Sequence, residues 1–270
     1  MRQQHRGRRP KWCQEMTAYL RAVDPWRHLI KASTSHEWLP EHWGEDNGGL
    51  NDVHPYFGWS GEEDPKNLGA FLPQFSAGVS ATDRPVIIGE TGIVREVTTK
   101  YGLAGDMADK DVTCFHVHES SWGGLFSGAV GTGMVWYWDE HVDRHQCCYR
   151  FRAISNFVED TEFNKEGFMR GETACSSTDR LRLFELVGKR TRLVWIRHRD
   201  LSWYGRAVEG KKLQPIEHAT LILPAIQASQ YRVEYWNTEQ GKLLRTEVVE
   251  ATGTSLDVPL PDLQSEIALR

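Results

Sequence analysis

The stretch RPVIIGETG, residues 84–92, is a short apolar run that ends in a carboxylate between glycines. Val86, Ile87 and Ile88 are consecutive and β-branched, as is typical of a parallel strand covered on both faces. Glu90 follows this run almost at once. In parallel α/β proteins, polar side chains at the carboxyl end of a strand line the functional face. The stretch therefore predicts a buried parallel strand with Glu90 at its functional end.

Helix and strand patterns alternate on both sides of this stretch until about residue 165. Strands and helices that alternate at this spacing predict parallel βα units. The predicted elements are a helix over 12–23, a strand over 28–33, a strand over 50–57, a helix over 67–79, the strand just described, a helix within 108–130 and a strand over 133–140.

The pattern changes after about residue 165 to short alternating runs separated by turn residues, such as LRLFELV, TRLVWIR, YRVEYWNT and LLRTEVVE. This pattern is typical of antiparallel strands, most simply two packed sheets. The sequence thus predicts an α/β fold with two domains. Residues 1–164 form the catalytic-type domain of βα units, and residues 165–270 form a small β-sandwich.

Four predicted strand ends carry aromatic, hydroxyl or ionisable groups where packing alone favours turn residues. These ends are residues 33–35, 54–56, 90–92 and 136–139. Because the carboxyl ends of parallel strands meet at one edge, the four groups are expected to lie near one another.

In this order, the segments DPWRHLIKASTS, DVHPYF, RPVIIGETG and GAVGTGMVWYWD resemble strands five to eight of a particular class of (β/α)8 glycoside hydrolase. The class is the clan A enzymes related to family 5, the cellulase and mannanase group. The resemblance covers residues 12–160 and implies a partial TIM barrel followed by an appended β domain. It also implies a carbohydrate substrate, retaining cleavage of β-glycosidic bonds and no cofactor.

The resemblance implies a role for each candidate residue. Glu90 matches the nucleophile at the end of strand seven, and His54 and Tyr56 match groups beside that nucleophile. Trp138 is the first choice for the indole beneath the sugar, and Trp136 is the second. A retaining glycosidase also needs a second carboxyl group, about 5 to 5.5 Å from the nucleophile.

The expected acid/base is a Glu that follows an Asn at the end of strand four, and the sequence contains no Asn-Glu pair. We therefore expect a truncated protein with an incomplete active site, whose exposed half-barrel edges favour self-association. Other carboxylates in the predicted loops are expected to be solvated: Glu37, Glu41, Glu45, Asp139 and Glu140.

Composition excludes several other classes of protein. A formal charge of -5 and a pI near 6.1 give no basic face for a nucleic acid. No run is long and apolar enough to cross a membrane, and the first 30 residues lack the apolar centre of a signal peptide. Five cysteines are too few for a disulfide framework. The 11 tryptophans favour a sugar ligand only modestly.

Two other functions stay open. The first is a carbohydrate-binding or assembly module without catalysis, and the second is a metalloprotein with His and Cys ligands, drawn from His116 and His118 or from the run HVDRHQCC at 141–148. Two histidines at i and i+2 of a helix point apart, so no metal is predicted. Trp59 fits either a substrate cleft or a loop anchor. Three tryptophans of the tail are expected mainly in the sandwich core: Trp195, Trp203 and Trp236.

Overall fold

The chain is a mixed α/β protein with several sheets. Its computed structural model describes residues 8–32, 49–57, 66–79, 84–93, 110–225 and 229–270. The helices are α1 (Arg8–Val23), α2 (Leu68–Val79), α3 (Phe115–Leu125), a π-helix (Trp138–Asp143), α4 (Tyr149–Val158), α5 (Phe163–Glu166) and α6 (Trp203–Ala207). None of the helices in these ranges is both long and apolar enough to span a bilayer.

Parallel pairing is confined to the first part of the chain. The strands β1 (Ile30–Ala32), β2 (Gly49–Val53) and β4 (Val86–Ile88) form a three-stranded sheet in the order β1-β2-β4. Two shorter strands, β3 (Tyr56–Phe57) and β5 (Gly92–Ile93), form a second parallel pair just beyond the ends of β2 and β4. The parallel strands predicted from the sequence are thus confirmed, with short β-ladders.

The strand predicted over residues 133–140 is not formed as a regular strand. The segment forms one parallel bridge, between Met134 and Glu90, just beyond the end of β4. The ladder stops there because the Trp136 N–H donates to a tyrosine hydroxyl rather than to a strand carbonyl. The chain then turns into the π-helix, so an apolar run that fits a strand by composition becomes a bend.

Antiparallel pairing begins after residue 168 and produces two sheets. A six-stranded sheet has the order β12-β11-β14-β9-β8-β6, and a three-stranded sheet has the order β13-β10-β7. These strands are β6 (Met169–Gly171), β7 (Cys175–Ser176), β8 (Leu181–Val187), β9 (Arg192–His198), β10 (Thr220–Pro224), β11 (Gln230–Asn237), β12 (Lys242–Glu250), β13 (Ser255–Pro259) and β14 (Glu266–Leu269).

The six-stranded sheet contributes to two cores. One buried cluster joins it to the three-stranded sheet, with Leu221 and Val258 on one side and Ile196 and Ile267 on the other. A second cluster joins its opposite face to helices α3 and α4. Both faces are therefore packed, and the antiparallel sheets are continuous in packing with the helices that cover the parallel strands.

The tail tryptophans are buried, but not where the sequence placed them. Trp195 and Trp203 are fully buried, as predicted. Trp195 packs against Trp122 of α3, and Trp203 lies in a cluster with Phe115, also of α3. Trp236 is partly buried and packs at the edge of the Trp195 cluster. Trp195 joins the sheet to α3 and Trp236 contacts Phe157 of α4, and none of the three indoles belongs to the cluster between the two sheets.

Helix α3 is buried on all sides, although its sequence is strongly polar. Its Glu119 forms an ion pair with Arg197 of β9, and Arg197 Nε also lies 3.3 Å from Glu266 Oε2 of β14. The other oxygen of Glu266 contacts His118 and accepts a hydrogen bond from Thr238 (2.7 Å). We call these five residues the α3 charge cluster. Each buried charge in it has an opposite charge in contact, as burial requires.

The two histidines of α3 have separate partners. His118 contacts Glu266, whereas His116 Nδ1 lies 2.9 Å from Asp111 Oδ2. This agrees with the expectation that they point apart. Within the described ranges, no group of three or more residues could hold a metal ion.

Helix α1 is confirmed, but it turns its large apolar side chains to solvent. Thr17 is its one buried side chain among residues 11–23. The exposed apolar residues of α1 and of the turn after it are Trp12, Met16, Tyr19, Leu20, Val23, Trp26 and Leu29. A continuous apolar surface of this kind is typical of an interaction face.

The α3 charge cluster predicts a pH-dependent stability. Burial alone would raise the pKa of Glu266, but His118 and Arg197 outweigh it and hold that pKa at about 2, below the ordinary 4.5. A lowered folded-state pKa stabilises the protein above pH 4.5, and this stabilisation is lost as the pH falls towards 2. We expect Glu266→Gln to lower the free energy of unfolding by about 3 kcal/mol at pH 7.

Urea unfolding at a series of pH values checks this prediction. The gap between wild type and Glu266→Gln should narrow from pH 4.5 to pH 2, because the wild type takes up the proton there. Glu217→Gln, at an exposed position, serves as the control and should change stability by less than about 0.5 kcal/mol. A gap that stays constant across this window would contradict the assignment.

Candidate active site

The predicted site residues lie at the carboxyl ends of the parallel strands. His54 directly follows β2, Tyr56 opens β3 and Glu90 follows β4 by two residues. The Pro55 carbonyl ties these segments together, because it accepts hydrogen bonds from Thr91 Oγ1 (3.2 Å) and from the N–H at position 92 (3.4 Å). The backbone therefore holds the imidazole, the phenol and the carboxylate on one edge of the sheet.

Tyr56 is the residue that joins the segments through its side chain. Its hydroxyl donates a hydrogen bond to Glu90 Oε2 at 3.0 Å and accepts one from the Trp136 N–H at 2.8 Å. The Trp136 N–H occupies an acceptor site of the phenol oxygen, so the phenolic proton is directed at the carboxylate. Glu90 remains partly open, with 29 % of its side chain exposed.

The environment keeps the Tyr56 hydroxyl protonated. Burial, followed by the negative charge of Glu90, raises the pKa of Tyr56 well above its ordinary value. A phenol that does not ionise remains a hydrogen-bond donor over the whole physiological pH range. Such a donor holds the Glu90 carboxylate in a fixed orientation.

His54 lies on the other side of Glu90. Its Nδ1 is 3.6 Å from Glu90 Oε1, within ion-pair distance but longer than a hydrogen bond. Its Nε2 is 3.2 Å from Asp52 Oδ2, and the same oxygen is 2.6 Å from Lys31 Nζ. The side chain of Asp52 is fully buried, whereas that of Lys31 is 43 % exposed. A row of ionisable side chains in mutual contact thus extends from β1 across β2 to Glu90.

Two glycines allow these close approaches. A Cβ atom on Gly89 would lie 2.3 Å from Asp52 Oδ1 and 2.8 Å from His54 Nε2. A Cβ atom on Gly133 would lie 2.6 Å from the Glu90 nitrogen and 2.7 Å from its Cα. Side chains at either position would displace the backbone that carries Glu90 or the groups beside it.

The structure thus brings together four of the five residues singled out from the sequence: Glu90, His54, Tyr56 and, through its backbone, Trp136. The indoles of Trp136 and Trp138 are exposed, by 73 % and 53 %. Trp138 takes no part in the hydrogen bonds and ion pairs that connect the other four in the described part of the chain. Residues 33–35, Glu37, Glu41, Glu45 and Trp59 lie outside the described residues.

Sequence reasoning missed Asp52 and Lys31. A signal for Asp52 was present, because an Asn-Asp pair stands inside a predicted strand where a strand covered on both faces is expected to be apolar. Buried polar residues in such a position require partners. Lys31 has no comparable signal, since a lysine in a short strand is ordinary.

The carboxylates after the bend lie at the surface. Asp139 and Glu140 begin the π-helix and are exposed. Asp139 Oδ1 accepts a hydrogen bond from the Glu140 N–H (2.9 Å), which is a local turn contact. The expectation that these two side chains are solvated is confirmed.

No protein-family model and no curated protein matches the chain. Several solved structures do match it. One is a GH30 endoxylanase from Clostridium papyrosolvens C71, with 14 % identity and a TM-score of 0.46 over 95 % of this chain and 60 % of that one. Another is a family 30 subfamily 8 xylanase from Clostridium acetobutylicum, with 10 % identity and a TM-score of 0.45 over 96 % and 58 %.

A third match is CelM2, a bifunctional glucanase-xylanase protein from a metagenome library, with 14 % identity and a TM-score of 0.45 over 96 % of this chain and 58 % of that one. The chain thus spans about three fifths of the length of these three structures. At TM-scores below 0.5, these similarities assign neither a family nor an activity to the chain.

The close approach at Gly133 yields a prediction about stability. We expect Gly133→Ala to lower the free energy of unfolding by about 1 to 3 kcal/mol, the usual cost of forcing atoms into a packed position. Gly131→Ala is the control, because its Cβ would lie 3.3 Å from a flexible Ile87 side-chain atom rather than against backbone. Chemical denaturation of both variants measures the difference, and equal costs would contradict the proposed crowding at Glu90.

Proposed function

We propose that the chain is part of a retaining glycoside hydrolase and that Glu90 is its nucleophile. The observation that carries this proposal is the Tyr56 hydroxyl, which donates to Glu90 Oε2 at 3.0 Å while it accepts the Trp136 N–H. A carboxylate nucleophile must be ionised and oriented, and it must keep one face open to the substrate. Glu90 combines a phenol donor, a nearby imidazole and partial exposure.

The proposed substrate is an oligosaccharide or polysaccharide with β-glycosidic bonds. Trp136 and Trp138 present indole faces at the end of the sheet that carries Glu90. An indole offers a flat, rigid apolar platform that matches the C–H face of a pyranose ring. The hydrogen bond from the Trp136 backbone N–H to Tyr56 supports Trp136 over Trp138 in this proposal, since it ties that residue to the segment beside Glu90.

The acid/base carboxyl group of the reaction is proposed to come from outside the described residues. Asp52 is unsuited to the role, because its side chain is fully buried and is already in contact with Lys31 and His54. Asp139 and Glu140 are solvated. We therefore propose that Glu90 belongs to an incomplete catalytic pair, as the lack of an Asn-Glu pair in the sequence suggests.

We further propose that residues 1–164 correspond to about strands five to eight of a (β/α)8 barrel and that residues 165–270 form an appended β-sandwich. Parallel pairing before residue 94 and antiparallel pairing after residue 168 support this division. The edge of β1 and the apolar surface of α1 are then the proposed route of self-association. Sedimentation of the purified protein as a monomer at micromolar concentration would contradict that part.

A second candidate function is a carbohydrate-binding module without catalysis. The observation in its favour is that the exposed indoles of Trp136 and Trp138 need no partner carboxylate to bind a sugar. This candidate differs from the first in one property: the protein binds a sugar but forms no covalent bond between the sugar and Glu90.

Covalent trapping tests the nucleophile without any acid/base. A 2-deoxy-2-fluoro-β-glycoside of xylobiose or cellobiose with a dinitrophenolate leaving group requires no protonation to depart. Glu90 should displace dinitrophenolate and form an ester with the anomeric carbon. We expect stoichiometric labelling, with the added mass on the peptide that contains Glu90, as measured by mass spectrometry.

Two variants make the trapping result specific. Glu90→Gln should show no added mass, because an amide is not a competent nucleophile. Tyr56→Phe should label at least about tenfold more slowly, because a hydrogen bond to the carboxylate is lost. Labelling of Glu90→Gln at the wild-type rate would overturn the assignment of the nucleophile.

Calorimetric titration separates the second candidate from the first. If the chain is a binding module, xylan and glucan oligomers bind to wild type and to Glu90→Gln alike, and no adduct forms in the trapping experiment. In either case we expect Trp136→Ala to weaken binding by about 1 to 3 kcal/mol, the contribution of a lost aromatic contact. Lys189→Ala, at an exposed position of the antiparallel part, is the control and should leave binding unchanged.

A further inference from the structure

We propose that Asp52 is a positioning residue of this site, which fixes the orientation and the tautomer of the His54 ring and so holds its Nδ1 facing Glu90. The functional meaning of the inference rests on the proposed role of Glu90 as nucleophile. The contacts that support it centre on Asp52 and Lys31, which have no role in that proposal.

Asp52 is placed as an anchor and not as a reactive group. Its side chain is fully buried, and its Oδ2 lies 2.6 Å from Lys31 Nζ and 3.2 Å from His54 Nε2. A buried carboxylate is stable only with donors or opposite charge beside it. The ammonium of Lys31 supplies the opposite charge, and Asp52 Oδ2 is also placed to accept a hydrogen bond from the His54 imidazole.

This contact determines which nitrogen of His54 carries a proton. With a proton on Nε2, the ring donates to Asp52 Oδ2. With Nε2 unprotonated, its lone pair would face a carboxylate at 3.2 Å, which is repulsive. Asp52 therefore selects the forms of His54 in which Nε2 is protonated, as carboxylates do for metal-binding and catalytic histidines.

The other nitrogen then faces Glu90. His54 Nδ1 lies 3.6 Å from Glu90 Oε1, so the ring stands between two carboxylates. Its contact with Asp52 thus determines how the ring is presented to Glu90.

The packing leaves the pair little freedom to move. Gly89, next to Glu90 in the chain, has no side chain, and a Cβ there would lie 2.3 Å from Asp52 Oδ1 and 2.8 Å from His54 Nε2. The Asp52–His54 pair therefore rests directly on the backbone that leads into Glu90. A displacement of Asp52 is transmitted to the imidazole and from there to the nucleophile.

Nitrogen-15 NMR of the histidine side chains tests the inference on the whole chain without any substrate. The signals of His54 are identified by their loss in His54→Gln. In the wild type, Nε2 should show the chemical shift of a protonated ring nitrogen. A wild-type His54 with an unprotonated Nε2 would overturn the proposal, even if Asp52→Asn did not fold.

The Asp52→Asn variant provides a second test of the proposal. The carboxylate is replaced by an amide of nearly the same shape, and we expect the uniform protonated Nε2 signal to be lost as the ring exchanges between tautomers. Asp262→Asn, at an exposed position, should leave the His54 signals unchanged. An unchanged His54 spectrum in folded Asp52→Asn would show that Asp52 has only a structural role and would overturn the inference.

The trapping reaction links the inference to function. Asp52→Asn should slow the labelling of Glu90 by about tenfold, the size of one lost hydrogen bond to a charged group. If wild type is not labelled at all, the proposed nucleophile fails, whereas the NMR result still decides the role of Asp52. If wild type and Asp52→Asn are labelled at equal rates, the positioning role is overturned and the nucleophile stands.

Discussion

The burial of α3 on all sides is the constraint on which the rest of the structure depends. A helix that carries Glu119 and His118 into a core is stable only because Arg197 and Glu266 of the antiparallel sheet reach the same point. The antiparallel part of the chain therefore stabilises α3, since its Arg197 and Glu266 side chains pair with the buried polar groups of that helix. The segment that reaches Trp136 follows α3 directly, so the position of that residue against Tyr56 depends on the same packing.

Backbone contacts alone bring the segments of the candidate site together. The Pro55 carbonyl and the bridge between Glu90 and Met134 join three separate segments at one edge of the parallel sheet. Tyr56 then contacts two of these segments with a single oxygen atom. An oxygen that is both acceptor and donor has no freedom to turn, which explains how short strands can hold a carboxylate in a defined orientation.

Much of this arrangement could be predicted from the sequence, because the signals for it lie within short segments of the chain. The run that precedes Glu90 has a strand signature of its own, and the two-residue spacing of His54 and Tyr56 places them on one side of an extended chain. The bend at Trp136 was not accessible, because it depends on a hydrogen bond to a residue 80 positions away. The burial of Trp195 against α3 was missed for the same reason, since alternation along a strand shows that a face is buried but not what covers it.

The double role of the Pro55 carbonyl limits how the length of this segment can change. Side chains alternate along an extended chain, so a single insertion or deletion between His54 and Tyr56 would send one of them to the opposite face. It would also move the carbonyl away from Thr91. Homologous sequences that retain this chemistry can therefore vary in residue type at position 55, which acts through its backbone, but they should align there without gaps.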